Sequence, residues 1–95
     1  MNKFIVAISD ATAENRDAIS NRLKRLGFGY WHWMPDLWLL TTSSAATAES
    51  IRDEVIKVAP SVNIFVTPVA TPPNGMIWAA YSPEEWWEWL NKNWT

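Results

Sequence analysis

A chain of 95 residues, 48% hydrophobic and 19% charged, has room for one domain and not for two. It contains no cysteine, which excludes a disulfide framework, a thiolate zinc site and a cysteine nucleophile; the formal charge of −2 excludes a globally basic nucleic-acid coat. The unusual component is tryptophan, with eight residues against three phenylalanines and two tyrosines.

Lys3 to Ser9 (KFIVAIS) is a short apolar run rich in β-branched residues, as a buried strand requires. That run is too short for a secretory signal, and no stretch approaches the roughly 18 apolar residues of a membrane span. The expectation is a soluble cytoplasmic protein with no membrane partner. Asp10 or Thr12 then caps a helix over Ala13 to Leu26, in which Ile19, Leu23 and Leu26 share one face. Its acids come early (Glu14, Asp17) and its bases late (Arg22, Lys24, Arg25), as the helix dipole favours, and Gly27 ends it.

In YWHWMPDLWLLTT, Tyr30, His32 and Met34 alternate with Trp31 and Trp33, so two strands meet at a tight turn around Pro35 and Asp36. Ser44 or Thr47 caps a second helix lined by Ile51, Val55 and Val58 and stopped by Pro60. Val62 to Val69 is a further strand, with Val62, Ile64 and Val66 opposite in facing to Asn63, Phe65 and Thr67. Beyond Thr71, Met76 to Tyr81 reads as a short fifth strand. Ser82-Pro83-Glu84-Glu85 reads as a capping box that starts a helix bearing Trp86, Trp89, Leu90 and Trp94.

The order β-α-β-β-α-β predicts an α+β, ferredoxin-like domain over residues 1–95, with 71–95 as a tryptophan-rich tail. Both helices cover one face of such a sheet. Tryptophans on the other face need cover, from the tail or from a second copy, and a homodimer to which the tail contributes is expected.

Chemistry-bearing residues are few. Asp10, at the end of the first strand, offers a carboxylate for a divalent metal; magnesium accepts so sparse a site when phosphates and waters complete its shell. The alternative duty of Asp10 is to cap the helix. His32 has no ligand partner at metal spacing and reads as a packed or edge residue rather than a general base. Arg16, Arg22, Lys24 and Arg25 form the one basic concentration, fit either for phosphate or for a solvated helix face. Tryptophans can stack on bases, anchor a protein interface or fill a core. Trp38 reads as core; Trp86, Trp89 and Trp94 read as docking residues; Trp31, Trp33, Trp78 and Trp87 are the candidate contact residues.

The run FIVAISD, the helix end LKRLG and the hairpin YWHWMPDLWLLTT together resemble the small CRISPR-associated endoribonuclease family. TAESIRDEV, NIFVTPV and EEWWEWL follow in the order of its SinR-like sub-group. The resemblance implies a ferredoxin-like protomer, a homodimer formed through sheets and tails, and association with nucleic acid or nucleotides. It also implies that Asp10 matches an aspartate used by some members for metal-dependent phosphodiester cleavage, while other members are non-catalytic scaffolds. Ser9 stands where a tyrosine often precedes that aspartate. Three expectations follow: nucleic-acid or nucleotide binding without turnover, an endonuclease using Asp10 paired across a dimer, and a partner-binding or inhibitory module using exposed tryptophan.

Overall fold

Among the described residues, four strands, β1 (Asn2–Ser9), β2 (Gly29–Met34), β3 (Leu37–Thr42) and β4 (Asn63–Val69), and three helices, α1 (Ala13–Arg25), α2 (Ala48–Val58) and α3 (Glu88–Asn93), run in the chain order β1-α1-β2-β3-α2-β4-α3. The computed structural model describes residues 2–43, 45–76 and 78–95. The strands form one antiparallel sheet in the order β2-β3-β1-β4. Among the described residues, no helix is long and apolar enough to cross a membrane.

Strand alternation sorts the apolar residues onto two faces. Phe4, Val6, Ile8, Trp38 and Leu40 face α1 and α2, where they close a core with Ile19, Leu23, Ile51, Val55 and Ala59. Ile5, Trp31, Leu37, Leu39 and Val69 face the other way, onto Leu90, Trp94 and the tail tryptophans. The tail therefore covers, within the same chain, the face whose exposure motivated a second copy. Gly29 lets it approach closely: a Cβ there would stand 2.6 Å from Thr41 Oγ1 and 3.4 Å from the Trp89 ring.

Local signals explain both long helices. Thr12 caps α1 by accepting from the Asn15 backbone N–H at 3.1 Å, and the Asn15 side chain returns a bond to the Thr12 backbone at 3.0 Å. Asp10 is thus not the cap; Thr12 has the extended backbone of a cap residue, whereas Asp10 lies in the left-handed region. At the other end, Gly27 N–H donates to Lys24 O and Phe28 N–H to Leu23 O, with Gly27 at φ 79°, a Schellman ending. Thr47 and Ser50 form the same reciprocal cap on α2, while Ser44 lies outside the described residues.

The tail departs from its sequence signals. Met76 and Trp78 to Tyr81 form no strand, and Ile77 lies outside the described residues. Ser82 does not start a helix: its Oγ accepts from Glu84 N–H at 3.1 Å, Glu85 turns to φ 51°, and α3 begins only at Glu88. The non-helical stretch carries Trp86 across the sheet, where its carbonyl accepts the Trp31 indole N–H at 2.8 Å. Docking outweighs the local capping box.

Arg22 on α1 bonds Glu54 on α2 through Nε at 2.7 Å, and Lys57 reaches the same carboxylate at 3.0 Å. Arg22 first and then Lys57 hold the Glu54 pKa below the usual carboxylate range, against an opposing effect of burial. A carboxyl group lowered on folding stabilises the fold above its ordinary pKa and loses that contribution as the pH falls through the lowered value. Glu54→Gln should therefore lower the thermal midpoint at neutral pH, with the gap to the parent chain closing under acid. A gap independent of pH would remove this linkage.

Candidate functional site

Two places on the sheet end formed by the β2–β3 turn and the end of β1 present candidate chemistry. The first is a groove between the end of β2 and the tail. β2 loses regular register between Trp31 and Met34, and His32 and Trp33 together oppose the single Trp38. Such a bulge re-aims side chains. His32 lies flat on Trp38, with centroids 3.9 Å apart, and its Nδ1 meets the Leu37 carbonyl at 2.9 Å. A carbonyl only accepts, so Nδ1 carries the proton. His32 is thus a packed residue, as its sequence setting suggested.

Trp33 reaches the opposite side and stacks on Trp86 at 5.3 Å and 13°, yet remains 55% exposed. With Trp89 these indoles line a cavity of about 490 Å³, bordered by Glu84, Glu85 and Glu88. Glu84 Oε2 accepts from the Trp86 indole N–H at 3.0 Å, and Lys92 pairs with Glu88 at 3.0 Å.

The other candidate tryptophans have structural duties. Trp31 is buried at 3% exposure beneath the tail. Trp78 is half-buried, donates to Trp94 O at 3.1 Å, and leans on Trp87 with centroids 6.4 Å apart. Trp38 is fully buried, in keeping with its core reading. Of the four candidate contact residues, Trp33 is the exposed one.

The second place is the corner at Asp10. Asp10 is exposed at φ 58°, and Asn63 Nδ2 donates to its Oδ2 at 2.7 Å and to Ser9 Oγ at 3.1 Å. Phe65, paired in register with Ala7, lies on the tail-side face but beyond the tail's cover, 64% exposed. Ser9, Asn63 and Phe65 border a shallow depression of about 260 Å³. Among the described residues no three His, Cys, Asp or Glu side chains gather into a metal-ligating group. Asp10 offers a carboxylate at this corner, a donor that suits magnesium only with phosphate oxygens and waters completing the shell.

The basic residues do not join the aromatic ones. Arg16 pairs with Asp36 at 2.9 Å, and Arg22 is engaged by Glu54. Lys24 and Arg25 are exposed in the last turn of α1, on the helical layer and not on the tail side. Sequence reading overlooked Phe65 and the glutamates of the groove. The outward parity of Phe65 in β4 was legible; the glutamates were absorbed by the capping-box reading.

No protein-family model matches the chain, and no curated protein matches it. A solved structure, "Crystal Structure of an Unknown Protein from Galdieria sulphuraria", is similar to 86% of this chain at 14% identity, with a TM-score of 0.55. The chain spans about half of that protein, 48% of its length. This likeness concerns the fold alone, and what it establishes is a small α+β domain with a four-stranded antiparallel sheet.

Proposed function

We propose that this protein is a non-catalytic binding module that engages a partner through the tryptophan groove. The single observation carrying this reading is Trp33, a large aromatic side chain held 55% exposed by a bulge and by its stack on Trp86. Exposed tryptophans on a rigid support are the residues that anchor interfaces. A ferredoxin-like frame agrees with the order β2-β3-β1-β4, in which β1 and β2 run parallel with β3 between them. A homodimer through the sheet would have to displace the tail, with its Leu90 and Trp94, from Ile5, Trp31, Leu37, Leu39 and Val69, so the groove is the contact surface in this reading.

The test follows the eight indole N–H resonances during titration with ATP, decathymidylate, and short peptides of positive, zero and negative charge. One class should shift Trp33 and Trp86, and Trp33→Ala should weaken its binding about tenfold or more. The fold should survive that change at so exposed a position. Silence of both resonances across the panel sinks the reading.

The Asp10 corner supports a second reading, metal-dependent phosphodiester cleavage, because Asn63 holds the carboxylate and itself borders, with Phe65, a depression in which a base can stack on the exposed ring. Magnesium bound there would supply charge neutralisation at the phosphate and activation of water. RNA or single-stranded DNA should then be cut with magnesium present, and Asp10→Asn should abolish the cut. Activity surviving that change removes Asp10 from the chemistry.

A further inference from the structure

The charge around the tryptophan groove decides which partner can enter it. Three indoles form its apolar surface, and Glu84, Glu85 and Glu88 stand at its border. Lys92 is its one basic side chain, and Glu88 meets that charge at 3.0 Å. Two carboxylates remain in excess, and Glu84 holds the edge of the Trp86 ring through its indole N–H. The acid therefore lies at the edge of the ring, beside the apolar surface. A phosphate or carboxylate would meet repulsion here, and a neutral aromatic ligand would leave the acids unused.

We infer that the occupant is an arginine-bearing segment of a partner protein, its guanidinium laid against the Trp33–Trp86 surface and paired with Glu84 and Glu85. This deepens the binding reading above and rests on it. A planar guanidinium stacks on an indole and simultaneously offers in-plane N–H donors to carboxylates, which a compact ammonium does less well. The openness of the groove selects a peptide over a free small molecule. Trp33, Glu85 and Glu88 are all exposed, whereas small-ligand pockets enclose most of the ligand surface. A segment crossing the groove gains its remaining contacts along its own length.

The probes are an acetylated, amidated peptide of four Arg-Ser repeats, the same peptide with citrulline for arginine, and decathymidylate. Each is titrated into the full 15N-labelled chain at low salt. The arginine peptide should shift the Trp33 and Trp86 indole resonances and leave that of buried Trp38 in place. Citrulline, the uncharged isostere, should bind about tenfold more weakly or less well still. Joint Glu84→Gln and Glu85→Gln should weaken the arginine peptide similarly; both positions are exposed, and the unchanged Trp38 resonance reports that the fold persists. Equal binding of the arginine and citrulline peptides, or stronger binding of decathymidylate, overturns the cationic assignment while leaving the groove as a contact surface. No shift of Trp33 or Trp86 with any of the three overturns both.

Discussion

A chain ending at Ala70 should unfold at a much lower urea concentration than the full chain and should bind an apolar dye under native conditions. Residues 71–95 provide Leu90 and Trp94, at 3% and 4% exposure, and bury Trp31 at 3%. Full burial of such side chains is worth about 1.5–3 kcal/mol each, and the total stability of a small domain is about 5–15 kcal/mol. The hydrogen bonds from Trp31 to Trp86 O and from Trp78 to Trp94 O would go as well. What remains would expose Ile5, Trp31, Leu37, Leu39 and Val69 as one contiguous apolar surface on the sheet. Surfaces of that kind drive association. An unchanged urea midpoint would show that the tail rests on the sheet without holding it.

The tail also marks where the sequence ceases to be a sufficient guide. β1, α1, the hairpin, α2 and β4 were legible because each obeys a local rule. Thr12 and Gly27 bracket α1, Pro35 and Asp36 occupy the turn between β2 and β3, and Thr47 and Pro60 bracket α2. In the tail, local and tertiary preferences conflict. Ser82 to Glu85 suits a helix start, yet a helix beginning there would give Trp86 a helical backbone, whereas its observed path brings its carbonyl to Trp31. The bulge at His32 and Trp33 was hidden for a related reason. Alternation describes a regular strand, and the flat His32–Trp38 stack is a cross-strand contact that no spacing in β2 alone encodes.

The candidate sites were legible to different degrees. Asp10 stood out by its place at a strand end, and the structure keeps it exposed there, although Thr12 takes the capping duty. Trp33 could not be separated from Trp31 by type or by facing. What separates them is the tail, which lies over Trp31 and leaves much of Trp33 uncovered. The acidic border of the groove arises from the same path, because the non-helical Ser82–Glu85 turn places Glu84 at the Trp86 ring edge. The aromatic groove and its charge are products of one tertiary compromise, which explains why neither was visible before folding.

Trp38→Ala should be the most damaging single substitution in the helix-side core, lowering stability by about 3–5 kcal/mol. Trp38 is the largest of the fully buried side chains, at 0% exposure. Its indole N–H donates to Ser20 Oγ on α1 at 3.1 Å, and its ring supports His32 at 3.9 Å. Trp38→Phe retains an aromatic body but deletes that N–H, so its cost should be smaller. Ser20→Ala removes the acceptor and leaves the N–H unsatisfied, at about 1–3 kcal/mol. Combined with Trp38→Phe, the same Ser20 change should cost little further, because the donor is already gone; urea melts of the four chains measure this coupling. Additive losses would show that the hydrogen bond contributes nothing. The consequence reaches the groove, because His32 and Trp33 leave the bulge in opposite directions. Trp38→Phe leaves His32 a smaller ring to lie on, so the backbone that holds Trp33 against Trp86 should shift and the Trp33 indole resonance should move while the chain stays folded.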